Sequence, residues 1–188
     1  MGSVLHHSDV SVLWTPYSSD GCSLCRNVLK GLEAARGEWL WILEDDEWYS
    51  PRYFSAVLAA MQVPGAKVVG NHQWLIYHVP SRRYEYLRHD RDHTNLCQAV
   101  LHKDVWQFLR RAAMVGTPSI DLALWSLLRK YEIPVAWLDD PTLMVGLKGL
   151  GGEAGYSLHH SADTLKFDDP HALVLRSVLG HDADHYLE

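Results

Sequence analysis

The sequence predicts an α/β domain in which a mixed sheet is flanked by helices. Apolar residues make up 47% of the 188 residues, enough for a hydrophobic core, and charged residues make up only 21%. Apolar and amphipathic segments alternate along the chain, as they do when buried strands alternate with surface helices. The length is that of one domain, so residues 1–188 are predicted to form a single unit with a helical tail at 161–188.

The first elements are predicted to be a strand, a helix and a second strand. Residues 10–17 (VSVLWTPY) are typical of a short buried strand. In 23–37 the apolar residues recur three or four positions apart, which predicts an amphipathic helix that ends at Gly37. Residues 38–44 (EWLWILE) are almost continuously apolar, as in a buried strand of a parallel sheet. A further helix is predicted to start at Pro51, because proline is favoured in the first helical turn.

The remaining segments continue this alternation, and no internal repeat or domain linker interrupts them. In chain order the sequence predicts a strand region at 66–79, a hairpin or mobile loop at 81–94, a strand and helix at 95–112, a helix at 117–133, a strand at 134–146, a glycine-rich loop at 147–161 and a helix at 170–180.

Charge and cysteine content exclude several classes of protein. Seventeen basic against 23 acidic residues give a net charge of −6, which disfavours a general nucleic-acid binder. No apolar run approaches the ~20 residues that span a membrane, so no membrane partner is expected. The three cysteines, Cys22, Cys25 and Cys97, are an odd number and predict a reducing, cytoplasmic location. Cys22 and Cys25 form a CxxC, but no second pair completes a zinc site.

An acidic cluster follows the predicted strand at 38–44. Glu44, Asp45, Asp46 and Glu47 are adjacent, and like charges this close must point into water, stay partly protonated or be held by a cation. In open α/β sheets, ligands bind beyond the carboxyl ends of the strands, so this position favours chemistry over a solvated turn. If the alternation of the strand persists, Glu44 points to the opposite face and is not a direct ligand.

Residues 20–54 carry a series of motifs in a recognisable order. A glycine is followed after five residues by an Arg-Asn pair, then by a helix ending in A-x-G-E, an apolar strand, an acidic pair and a proline. The residues that carry the series are Gly21, Arg26, Asn27, Ala35, Gly37, Glu38, Asp45, Asp46 and Pro51. This series resembles the central segment of GT-A glycosyltransferases, family 2 in particular. The resemblance extends over about residues 10 to 160, although Ile120 stands where the family usually has glutamate.

The resemblance implies a GT-A-like (Rossmann-type) mixed sheet, a nucleotide-sugar donor and a divalent metal, Mn²⁺ or Mg²⁺. By the same resemblance, Asp46 binds the metal, and Asp45 holds the donor ribose or a metal-bound water. His159 or His160 completes the metal shell, and the spacing does not distinguish between them. Asp121, at a predicted helix start, is the candidate general base, and a helix cap is the alternative role for an aspartate there.

Basic and glycine residues supply further candidates for donor binding. Lys148 and Gly149 lie in the glycine-rich segment, which could close over a pyrophosphate with its amides and the lysine facing the anion. Arg26, at a helix start, contacts a phosphate or binds the acidic motif. Residues 81–94 mix arginine and tyrosine, which suits a sugar or nucleic-acid acceptor and equally suits an exposed hairpin.

The resemblance also implies an N-terminally abbreviated form. Family members begin with another strand-helix-strand unit that holds the nucleotide base, whereas only residues 1–20 precede Gly21. Three readings follow: a minimal enzyme, a donor base held otherwise, such as by an oligomer or partner chain, or loss of donor binding. The leading hypothesis is a metal-dependent glycosyltransferase acting on a glycan or a modified DNA base. The alternatives are a non-catalytic nucleotide- or carbohydrate-binding relic and a metal-dependent hydrolase.

Overall fold

The computed structural model describes residues 23–89, 92–117, 119–150 and 162–187. Its α-helices are α1 (Ser23–Ala34), α2 (Tyr53–Ala60), α3 (Trp106–Met114), α4 (Ile120–Lys130), α5 (Leu173–Leu179) and α6 (Ala183–Leu187). Its strands are β1 (Trp39–Trp41), β2 (Glu47–Tyr49), β3 (Val68–Asn71), β4 (Gln73–His78), β5 (Arg83–Arg88), β6 (Ala99–His102), β7 (Val135–Leu138), β8 (Met144–Lys148) and β9 (Phe167–Asp168). The predicted α/β class is confirmed.

The strands form two mixed sheets, which we name A and B. Sheet A has four strands in the order β1-β6-β3-β7, and sheet B has five in the order β2-β8-β4-β5-β9. In sheet A, β6 is antiparallel to β1 and β3, and β3 is parallel to β7. Strands β1, β3 and β7 therefore run in the same direction. In sheet B, β8 and β4 are parallel, and the other neighbours are antiparallel.

Within the described residues, the chain crosses from sheet A to sheet B three times. Strand β1 leads into β2, β3 into β4, and β7 into β8. Because β1, β3 and β7 are parallel, all three crossings start on the same side of sheet A, at the carboxyl ends of these strands. The Asn71 side-chain amide donates to the backbone carbonyl of Asp140 at 2.8 Å, which ties the second crossing to the third. The acidic cluster lies on the first crossing, at the carboxyl end of β1.

Several predicted strands differ from the observed ones. The regions 66–79 and 134–146, each predicted as one strand region, are both divided between the two sheets, because an apolar run does not reveal where the chain changes direction. The prediction of a buried parallel strand at 38–44 is wrong: β1 is three residues long, half-buried and antiparallel to β6. Its tryptophans contact neighbouring elements: the Trp39 ring lies against His102 of β6, and Trp41 stacks on Phe54 of α2 with ring centroids 4.9 Å apart.

Other predicted elements are found near their expected positions. The predicted helix at 23–37 is α1, and α2 starts at Tyr53, two residues after Pro51. The hairpin reading of 81–94 is confirmed, since β5 pairs antiparallel with β4. The predicted strand at 10–17 lies outside the described residues.

The core of sheet A lies between two helical layers. Val68 and Leu101 pack against α1, α3 and α4, whereas their neighbours Val69 and Val100 pack on the side of α2. This alternation follows from the two-residue period of a strand. Burial on both faces explains why β3 and β6 begin with three consecutive residues without polar side chains rather than alternating between apolar and polar residues.

Sheet B has one covered face and one face turned toward the first crossing. Helices α5 and α6 cover the face that carries Leu75, Tyr77 and Val145, and together they form one apolar cluster. Trp74 and Ile76 lie on the opposite face. None of the helices in the described ranges is both long enough and apolar enough to cross a membrane. The assignment of the whole chain to a single domain stays a prediction.

Candidate active site

A cleft of about 190 Å³ opens beside the first crossing between the sheets. Its walls come from the start of α1, the first crossing, β4, the loop before β6, the start of α4 and the end of β8. The lining residues are Leu24, Glu44, Glu47, Trp74, Asn95, Leu96, Cys97, Ile120, Asp121 and Lys148. The cleft therefore joins acidic, basic and aromatic side chains from six parts of the chain.

Three carboxylates of the acidic cluster lie close together, and two of them, Glu44 and Glu47, line this cleft. Glu44, Asp46 and Glu47 each offer one oxygen, and these oxygens lie within 4.8 Å of one another. Among the described residues, this is the one group of three acidic, histidine or cysteine side chains with such spacing. The prediction that Glu44 points to the opposite face is wrong, because the strand ends at Trp41 and the alternation does not continue. We name these three side chains the carboxylate trio.

Burial and neighbouring carboxylates raise the pKa values of two members of the trio. Burial, with the charge of Asp46 as the next cause, raises the pKa of Glu44. Burial also raises the pKa of Glu47 to about 7, although Lys148 acts in the opposite direction. Clustered, partly buried carboxylate oxygens are the donor set that Mg²⁺, Mn²⁺ and Ca²⁺ prefer in proteins. The trio therefore fits a hard divalent cation.

Lys148 is a strand residue that is bound to the trio. Its Nζ donates to Glu47 Oε1 at 2.6 Å, and the two side chains are only 6% and 2% exposed. The second oxygen of Glu47, Oε2, accepts from the backbone N–H of Leu147 at 2.9 Å. Lys148 is the last residue of β8, so the expectation that it belongs to a flexible loop is wrong.

Gly149 directly follows β8 in a conformation that favours glycine. Its φ is +77°, and a Cβ there would lie 2.7 Å from Nε2 of His78. Gly149 is exposed and does not line the cleft. The positive φ and the close approach of His78 explain why glycine occupies this position, independently of any role in donor binding.

Asp121 lines the same cleft from the first turn of α4. It is half-buried, and its Oδ1 accepts from the N–H of Leu122 at 2.9 Å. Its charge is one of the influences that raise the pKa of Glu44, so the two carboxylates are close enough to interact. The preceding residue, Ile120, is fully buried. The departure from the usual glutamate thus places a core residue at the cleft wall.

The other predicted site residues are less closely associated with the cleft. Asp45 is exposed and does not belong to the trio. Arg26 is a half-buried residue of α1 and is not part of the cleft wall. His159 and His160 lie outside the described residues.

Sequence reasoning missed the cleft residues that arrive from distant strands and loops. Cys97 is 3% exposed, and burial, followed by the charges of Glu44 and Glu47, raises the pKa of its thiol. Trp74 packs on Gly146, where a Cβ would lie 2.7 Å from the indole ring. No local pattern marks either residue. Glu47 belongs to the acidic run, and this run was the signal in the sequence that could have identified it. In the structure it is the first residue of β2.

Together, the fold and the cleft define an α/β protein with a cleft where strands leave a sheet, which is the position at which open α/β sheets bind ligands. The sequence model of Glycosyl transferase family 2 matches residues 13–130, which is more than half of the chain. This chain therefore belongs to glycosyl transferase family 2. The match includes the carboxylate trio and Asp121, whereas Lys148 lies beyond it. A comparison with curated proteins finds no match.

Proposed function

We propose that this protein is a metal-dependent glycosyltransferase that takes its sugar from a nucleotide-sugar donor. The observation that supports the proposal is that Glu44 and Glu47 of the carboxylate trio meet Asp121 and Lys148 at one cleft in a family 2 chain. A nucleotide-sugar leaves as a diphosphate, so the cleft must compensate developing negative charge and accept a proton from the acceptor. The same cleft contains groups suited to these two tasks.

The carboxylate trio would hold the metal, Mn²⁺ or Mg²⁺. Its fit rests on the oxygen donors within 4.8 Å of one another, and on the burial and the neighbouring charge of Asp46 that raise the pKa of Glu44. When bound, a divalent cation stabilises a departing diphosphate without proton transfer. Asp46 remains the first candidate ligand, and Glu44 and Glu47 now join it. Whether His159 or His160 also contributes stays a prediction.

Asp121 would act as the general base. The Leu122 N–H holds Oδ1 and so fixes the orientation of the carboxylate at the start of α4. A base in this position accepts the proton of an acceptor hydroxyl as it attacks the sugar. Asp45 and Arg26 remain proposed contacts of the donor, and Gly149 remains part of the proposed pyrophosphate-binding segment.

The acceptor is a hydroxyl of a glycan or of a modified DNA base. The proposal includes a cytoplasmic location, which rests on the odd number of cysteines. It also includes an oligomer or partner chain as a source of contacts to the donor base.

A thermal-shift screen tests the proposal. UDP-, GDP- and TDP-sugars are added with and without Mn²⁺, and a ligand that binds only the folded state raises the melting temperature. We expect a metal-dependent shift for one nucleotide, its loss in Asp46→Ala, and its retention in Asp104→Ala, which removes a surface carboxylate paired with Lys67. Absence of any metal-dependent shift would favour the relic. Release of free sugar without transfer to any acceptor would favour the hydrolase.

A further inference from the structure

The buried ion pair between Lys148 and Glu47 has a consequence for the metal site. The pair has its Nζ and Oε1 2.6 Å apart, and both side chains are more than nine-tenths buried. Glu47 also belongs to the carboxylate trio. One carboxylate thus serves both a lysine ammonium and the proposed cation site. The inference drawn here rests on the proposed function.

Both oxygens of Glu47 already have partners in the structure. Oε1 accepts from Lys148, and Oε2 accepts from the backbone N–H of Leu147. The N–H of Leu147 belongs to β8 and stays in place when side chains move. The bond that can be exchanged is therefore the one to Lys148, whose ammonium is a point charge on a flexible four-carbon stem.

We propose that Lys148 is a built-in counter-ion of the metal site. Its ammonium neutralises Glu47 in the metal-free protein, leaves Glu47 when that carboxylate becomes a metal ligand, and then faces the diphosphate of the donor. Binding of the metal and release of the lysine are thus two sides of one exchange. The pair competes with the metal and supplies the donor site with a cation once the metal is present.

The energetics favour an exchange over simple rupture. Removing one partner from a buried ion pair leaves an uncompensated charge, which is strongly destabilising. Both charges therefore need new partners. The metal would be the partner of Glu47, and the diphosphate of the donor would be the partner of the Lys148 ammonium. The backbone of Lys148 does not have to move, since its carbonyl accepts from the N–H of Val79 at 2.9 Å and β8 remains paired with β4.

Amine labelling of the full chain tests this exchange. The protein is acetylated with an amine-reactive ester, with and without Mg²⁺ at a concentration that calorimetry shows to be saturating, and each lysine is quantified by peptide mass spectrometry. We expect Mg²⁺ to raise the labelling rate of Lys148 by about tenfold or more, because a buried amine becomes accessible. Added pyrophosphate, with free Mg²⁺ kept at the saturating concentration, should reverse the increase. The control is Lys67, a partly exposed lysine paired with Asp104, whose rate should not change.

Variants of Lys148 provide the second measurement. Lys148→Met removes the charge and keeps the length of the side chain, and it should tighten Mn²⁺ binding, measured by electron paramagnetic resonance, by about tenfold or more. Lys148→Arg keeps the charge and should not tighten it. The labelling experiment uses the unaltered chain, so it shows whether metal binding releases Lys148 from Glu47 even if Lys148→Met does not fold.

The outcomes separate the inference from the proposed function. If Mg²⁺ binds but Lys148 stays protected, the ion pair is purely structural and the inference is overturned, while the metal-dependent transferase stands. If neither Mg²⁺ nor Mn²⁺ binds, both are overturned. Binding with release of Lys148 supports both.

Discussion

Replacing Asp169 by alanine should destabilise the fold, because this buried carboxylate caps helix α5. Asp169 is 5% exposed. Its Oδ1 accepts from the N–H of Leu173 at 2.7 Å, and its Oδ2 accepts from the N–H of Val174 at 3.0 Å and from the hydroxyl of Tyr77 at 3.1 Å. One side chain thus satisfies the first turn of the helix and a buried tyrosine of sheet B.

The magnitude follows from the groups that Asp169→Ala leaves without an acceptor. Loss of a helix cap costs about 1 kcal/mol, and a buried hydroxyl deprived of its partner costs about 2 kcal/mol. The sum is about 3 kcal/mol of unfolding free energy. In a domain of this size that lowers the melting temperature by about 6 to 12 °C.

Urea denaturation followed by tryptophan fluorescence measures this loss, and the adjacent aspartate provides the control. The Asp168 side chain is 77% exposed and forms an ion pair with Arg83, so Asp168→Ala should change the unfolding free energy by less than about 1 kcal/mol. If Asp169→Ala were no less stable than Asp168→Ala, the assignment of Asp169 as the anchor of α5 would be refuted.

Three further predictions concern the cleft. Burial raises the pKa of Glu47 from 4.5 to about 7, so the contribution of this group to stability is complete below pH 4.5 and is lost as the pH rises through 7. Denaturation of the metal-free protein across this range should show the unfolding free energy falling with pH. In Glu47→Gln the unfolding free energy should depend less on pH. Gly146→Ala should cost about 1–3 kcal/mol because its Cβ would meet the Trp74 ring at 2.7 Å, whereas Gly31→Ala, with open space around it, should not destabilise; equal melting temperatures would contradict this. The thiol of Cys97, buried and with a raised pKa, should resist Ellman's reagent until guanidinium unfolds the chain, and rapid native labelling would argue against its burial.

The elements that depend on near neighbours could be predicted from the sequence. Helix α1 was predicted because Leu24, Val28 and Leu32 recur at helical spacing, and Val28 and Leu32 are buried in the structure. The family was recognised because its motifs lie within one short segment, and the match over 13–130 confirms it. Asp121 was singled out by the same order of motifs, and it does line the cleft, although its role as base stays a prediction.

The ends and partners of the strands could not be predicted in this way. The predicted strand at 38–44 is longer than the observed strand, which ends at Trp41. Side chains alternate between the two faces of a sheet only within a strand, so the alternation assigned Glu44 to the wrong face. The division of 66–79 into β3 and β4 depends on which sheet each half joins, and the residues that decide it lie elsewhere in the chain.

By itself, then, the sequence determined the order of helices and strands, the family and the acidic cluster at the carboxyl end of a strand. Only the tertiary structure decided which carboxylates converge and that Lys148, 101 residues further along, neutralises Glu47. The physical reason is range: helical periodicity and turn chemistry act between residues a few positions apart. The charge balance of a cleft depends on how strands from distant segments are packed side by side.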